Sequence, residues 1–145
     1  MTYGWRGGGF RRGGAGFSLR GDVGLSPLPP PAPGHVRIAI STSSGEGLKS
    51  VIAPRFARAP FITVVDAAQN KVVDVKVFPN PFSQVPRGAG MGLGQWLLNS
   101  NVTIVVAPHL GPNISILLQQ AGVRVELAPP GTPVSLALQN LGFTA

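Results

Sequence analysis

Residues 102–107 read Val-Thr-Ile-Val-Val-Ala, a run with one hydroxyl and no charge. Six residues cannot span a bilayer, which takes ~20 in a helix. The run instead reads as a strand covered on both faces, and such strands belong to parallel sheets layered between helices. The flanking sequence supplies those helices. A glycine-rich loop through Gly90 leads into one that ends near Asn99, and Gly111-Pro112 opens a second, which stops at Gly122. Val123–Leu127 is the next strand. Thr132-Pro133 then predicts an N-cap and first-turn proline for a third helix whose buried face is Val134, Ala137, Leu138 and Leu141.

Before residue 88 the pattern is different. Val36–Ser41, Phe61–Ala67 and Lys71–Phe78 are β-rich runs, and Gln69-Asn70 between the last two predicts a hairpin turn. Lys71, Asp74 and Lys76 mark the third run as a half-exposed edge strand, stopped by Phe78-Pro79-Asn80-Pro81. The order β-β-β-α-β-α-β-α predicts an α/β domain: an antiparallel meander followed by βαβ crossovers.

That domain is expected to occupy residues 35–145. Half of the 20 glycines and a third of the 15 prolines lie in residues 1–34. This stretch is expected to be a disordered Gly/Arg-rich tail followed by a stiff polyproline II linker, Pro27–Pro33. Deleting residues 1–33 should on this view leave stability nearly unaltered. The net charge of +7, carried by nine Arg and three Lys, favours anionic partners. With no Cys, the chain has no disulfide, thiolate metal site or cysteine nucleophile. No apolar signal segment follows Met1 and no run is long enough to cross a membrane, so a cytoplasmic location is expected, without membrane contact.

Six strings, in order, resemble the dinitrogenase iron–molybdenum cofactor biosynthesis family, which includes the NifX and NafY carriers and the C-terminal domain of NifB. They are Val36-Arg37-Ile38-Ala39-Ile40, Phe56-Ala57-Arg58-Ala59-Pro60-Phe61, Val64-Val65-Asp66, Asn80-Pro81, the glycines at 88 and 90, and Val105–Asn113. The resemblance covers residues 36–141. It implies a ribonuclease H-like three-layer fold: a mixed five-stranded sheet of order 3-2-1-4-5 with strand 2 antiparallel. It also implies non-catalytic binding of an iron–sulfur or molybdenum-iron-sulfur cluster, with metallocofactor assembly proteins as partners. Two positions depart from the family: Ala57 replaces a glycine, and Arg55 stands where many members have His.

In that strand order the ligand crevice lies beyond the C-terminal ends of strands 1 and 4. Ser41, Thr42, Arg55, Arg58, Gly88, Gly90, His109, Gly111 and Asn113 are the candidate cofactor-binding residues there, and His109 is the candidate metal ligand. Two helix N-termini, near Gly111 and Thr132, would add amide donors. Each side chain has a plainer alternative. His109 could donate to a nearby carbonyl, Asn113 could bond local backbone, Arg58 could form a structural salt bridge, and Arg55 could lie free on the surface. Gly88-Ala89-Gly90-Met91-Gly92-Leu93 fails the dinucleotide fingerprint because Leu93 occupies its third glycine position. The glycines read instead as a close-packed helix entrance, and Met91 and Trp96 as core. The central strands carry no carboxylate cluster, which excludes two-metal hydrolysis. The expected function is a carrier or scaffold for an anionic metal–sulfur cluster. An RGG-like tail making weak nucleic-acid contacts is the alternative, and a module binding a small anion is a third reading.

Overall fold

The computed structural model describes residues 26–145; the Gly/Arg-rich stretch of residues 1–25 lies outside the described residues. The strands are β1 (His35–Thr42), β2 (Phe61–Ala68), β3 (Lys71–Pro79), β4 (Ile104–Ala107) and β5 (Arg124–Leu127). The α-helices are α1 (Ala89–Asn99), α2 (Pro112–Gln120) and α3 (Val134–Asn140). The sheet runs β3-β2-β1-β4-β5, the expected order. β2 is antiparallel to both β1 and β3, whereas β4 is parallel to β1 and β5 is parallel to β4.

Alternation along the central strands divides the core into two layers. Ala39, Val105 and Ala107 face α1 and α2, where Leu93, Trp96, Leu97, Ile114 and Leu118 cover them. Ile38, Ile40, Ile104 and Val106 face α3 and its Val134, Ala137 and Leu138. The expected turn at Gln69-Asn70 has φ of 53° and 67°, the left-handed pair that matches strand twist in a two-residue hairpin. β3 is a half-exposed edge, as its charges imply.

Three local expectations are corrected. β4 begins at Ile104 instead of Val102, because the Val102 N–H closes the end of α1 by donating to Leu97 O at 3.1 Å. β5 begins at Arg124 for the same reason, with Val123 N–H bound to Leu118 O at 2.9 Å. Thr132 does not cap α3: its hydroxyl donates to Pro129 O at 2.7 Å, and Pro133 takes the N-cap position.

The proline segment is docked on the domain, unlike a free spacer. Trp96 Nε1 donates to Ser26 O at 2.9 Å, Leu28 N–H donates to Ser100 Oγ at 3.0 Å, and Arg37 Nη1 donates to Pro29 O at 2.6 Å. Leu28 also packs against the α1/α2 core. The reason is unfilled bonding capacity at the end of α1. A buried indole N–H and guanidinium need acceptors, and proline-segment carbonyls have no helix or ladder to serve.

Candidate functional site

A cleft of about 480 Å³ opens where three segments meet: Arg55–Arg58 before β2, Gly88–Met91 at the start of α1, and His109–Ile114 leading into α2. Asn80 holds the first segment in place. Its buried Nδ2 donates to Ala57 O and Ala59 O, both at 2.9 Å, and its Oδ1 accepts from Phe82 N–H at 3.0 Å. One side chain thus ties the 57–59 loop to the short 3-10 helix Pro81–Gln84. Arg58 reinforces the tie by donating Nη1 to Ser83 O and Val85 O. In the sequence, Asn80-Pro81 reads only as a strand stop and a family string. The signal for its role was an Asn preceding proline, which favours capping and turn bonds.

The second and third walls are helix starts. Gly88 caps α1 in the left-handed conformation at φ 74°, and Gly111 caps α2 in an extended one. Neither glycine has a side chain to satisfy the first-turn amides, and neither helix has an acidic residue in its first turn. In α1 the first intrahelical bond is Gly92 N–H to Gly88 O, so Ala89, Gly90 and Met91 precede it. The helices can lie close together because α1 presents glycine to its neighbours. A Cβ on Gly94 would fall 2.8 Å from Leu117, and one on Gly92 2.7 Å from the Phe82 ring.

Of the nine expected site residues, Arg55, Arg58, Gly88, Gly90, His109, Gly111 and Asn113 line this cleft. Ser41 and Thr42 do not. Ser41 is buried with its hydroxyl on Phe56 O at 2.8 Å, and Thr42 is buried with its hydroxyl 3.0 Å from both Thr63 Oγ1 and Ser44 O. The segment after β1 is filled by backbone: Ala53 N–H donates to Ser41 O, Ile52 N–H to Thr132 O, and Gly131 N–H to Ile52 O. That ladder also takes the start of α3 out of the cleft, with Val134 N–H bound to Ser50 O. Met91, expected in the core, is 40% exposed on the cleft wall, whereas Trp96 is buried as expected. Phe56, Leu110 and Ile114 add apolar surface that no motif in the sequence assigns to the cleft.

Electrostatically the cleft is one-sided. Arg55 and Arg58 supply two guanidiniums, His109 an exposed imidazole, and two helix starts their positive dipole ends. None of its lining residues is a carboxylate. Among the described residues no three His, Cys, Asp or Glu side chains converge to hold a metal ion. The arrangement can accept an anion.

A family model described as dinitrogenase iron-molybdenum cofactor matches residues 36–142. The chain belongs to this family. Solved structures with the same fold include the apo form of the orange protein from Desulfovibrio gigas, 29% identical with a TM-score of 0.65, covering 81% of this chain and 89% of that one. A Thermotoga protein provisionally assigned as NifB is 27% identical with a TM-score of 0.58, covering 73% of this chain and 86% of that one. No curated protein matches the chain. For the iron–molybdenum cofactor family, the matched span contains every residue of the cleft. Among the described residues no helix is long and apolar enough to cross a membrane.

Proposed function

We propose that the protein is a non-catalytic carrier or scaffold that holds an anionic iron–sulfur or molybdenum-iron-sulfur cluster during metallocofactor assembly in the cytoplasm, and that residues 35–145 are its cofactor-binding domain. One observation carries the reading: two helix starts without side-chain caps face one cleft together with Arg55, Arg58 and His109, and no carboxylate opposes them. Family membership supports the same direction.

The donor set fits a cluster that arrives complete. With no thiolate in the chain, the cluster brings its own sulfides, and the protein meets its net negative charge with guanidinium, imidazole and amide N–H groups. His109 would ligate a metal directly, through a neutral imidazole nitrogen. Gly88, Gly90, Gly111 and Asn113 would meet the cargo along the two helix starts. Few strong ligands and an open cleft suit cargo that must be handed on to assembly partners. Anaerobic reconstitution with iron, sulfide and molybdate, followed by metal analysis and absorption spectroscopy, tests the reading. Stoichiometric metal and sulfide with charge-transfer bands supports it, and a protein that emerges colourless and metal-free overturns it.

A further inference from the structure

Met91 is the only sulfur among the described residues, since the chain has no Cys and its other Met is Met1. It stands on the first turn of α1, exposed, on the wall of a cleft rich in hydrogen-bond donors and empty of carboxylates. A thioether is a poor acceptor and leaves those donors free. Its sulfoxide is polar, with a strongly accepting oxygen. We propose that Met91 is an oxidation switch for this cleft: peroxide converts it to the sulfoxide, whose oxygen takes the donors that otherwise meet the anionic cargo.

The chemistry balances without a metal. The Met91 sulfur lone pair attacks one oxygen of hydrogen peroxide, the O–O bond breaks, an S–O bond forms, and water leaves after proton transfer. Sulfur is oxidised by two electrons and the peroxide is reduced by two. Exposure gives the oxidant access, and methionine sulfoxide reductases restore the thioether. Such a switch suits a site whose metal–sulfur cargo is itself damaged by oxidants, and this part of the inference rests on the carrier reading. Met91 lines the same cleft as both helix starts and His109, and its flexible, unbranched side chain can turn the new oxygen into that cleft.

The test uses the full-length protein treated with hydrogen peroxide, with Met91→Leu treated alongside to account for Met1. Peptide mass spectrometry should locate a one-oxygen gain at Met91 under conditions that leave the folded circular dichroism spectrum unchanged. Amide and imidazole NMR signals of Gly90, His109 and Ile114 should then shift in the wild type, return after reductase treatment, and stay still in Met91→Leu. Uptake of the iron–sulfide–molybdate product should weaken about tenfold, the equivalent of one charge-assisted hydrogen bond. Sulfoxide formation without those shifts overturns the switch, as does cluster uptake indifferent to oxidation. If neither form takes up cluster, the carrier reading falls, and the NMR shifts alone decide whether the sulfoxide occupies the donors.

Discussion

Arg37 and Asp66 stand opposite each other across β1 and β2 and meet fork to fork, Nε to Oδ1 at 2.8 Å and Nη2 to Oδ2 at 3.1 Å, both buried. The remaining guanidinium nitrogen, Nη1, reaches Pro29 O at 2.6 Å and Ser100 O at 2.8 Å. One side chain therefore joins the sheet, the end of α1 and the docked proline segment. Removing either member strands a buried charge, so Asp66→Asn or Arg37→Ala should cost roughly 3–5 kcal/mol. Replacing both together, as Arg37→Met with Asp66→Leu, should cost much less than the sum of the single changes. Urea titrations of the three variants measure the difference.

The docked segment makes a second expectation. Deleting residues 1–33 removes partly buried Leu28 and leaves Trp96 Nε1 and Arg37 Nη1 short of acceptors. Compared with deletion of residues 1–25 alone, it should cost about 2–4 kcal/mol, from the lost apolar burial and unmet donors. Equal midpoints for the two truncations would show that these contacts contribute nothing.

Glycines of α1 should respond with opposite signs. Gly92→Ala drives a methyl into the Phe82 ring, so an overpacking cost of ~1–3 kcal/mol should exceed the ~1 kcal/mol gained in helix propensity. A Cβ at Gly90 would sit 3.8 Å from Ile114, an ordinary contact, so Gly90→Ala should stabilise by up to ~1 kcal/mol. Thermal midpoints of the two variants check the contrast.

His109 and Ser41 separate binding from folding. His109 is exposed and lines the cleft, so His109→Ala should lower cluster uptake while leaving the unfolding free energy within ~0.5 kcal/mol. Ser41→Ala should leave Phe56 O unmet and cost ~1–3 kcal/mol, with uptake per folded molecule unchanged. Paired metal analysis and urea titration of both variants distinguish the roles.

The strands were legible as β-rich runs at 36–41, 61–67 and 71–78 and as the continuous apolar run at 102–107, which needs cover on both faces. The glycines, Arg55, Arg58, His109 and Asn113 could be placed together because the strand order implied by the family resemblance puts their loops at one end. Ser41 and Thr42 belong to that end too. What excluded them was the backbone ladder of residues 50–53, which no side-chain pattern announces. Met91 reads as core because helical spacing cannot tell a core face from a cleft wall in the first turn. The docking of Ser26–Pro29 was hidden for a related reason. Proline-rich composition reports stiffness and says nothing of which carbonyls will find donors.

The uncapped starts of α1 and α2 set limits on engineering. Ser, Asp or Asn at Gly111 would be the ordinary remedy for a helix without a side-chain cap, each adding a few tenths of a kcal/mol over the glycine. Asp would also lay a negative charge in a cleft otherwise free of them. Any selection for heat resistance alone would therefore drift toward a sturdier protein with its cleft neutralised, so variants of this fold have to be screened for retention of cargo as well as for melting temperature.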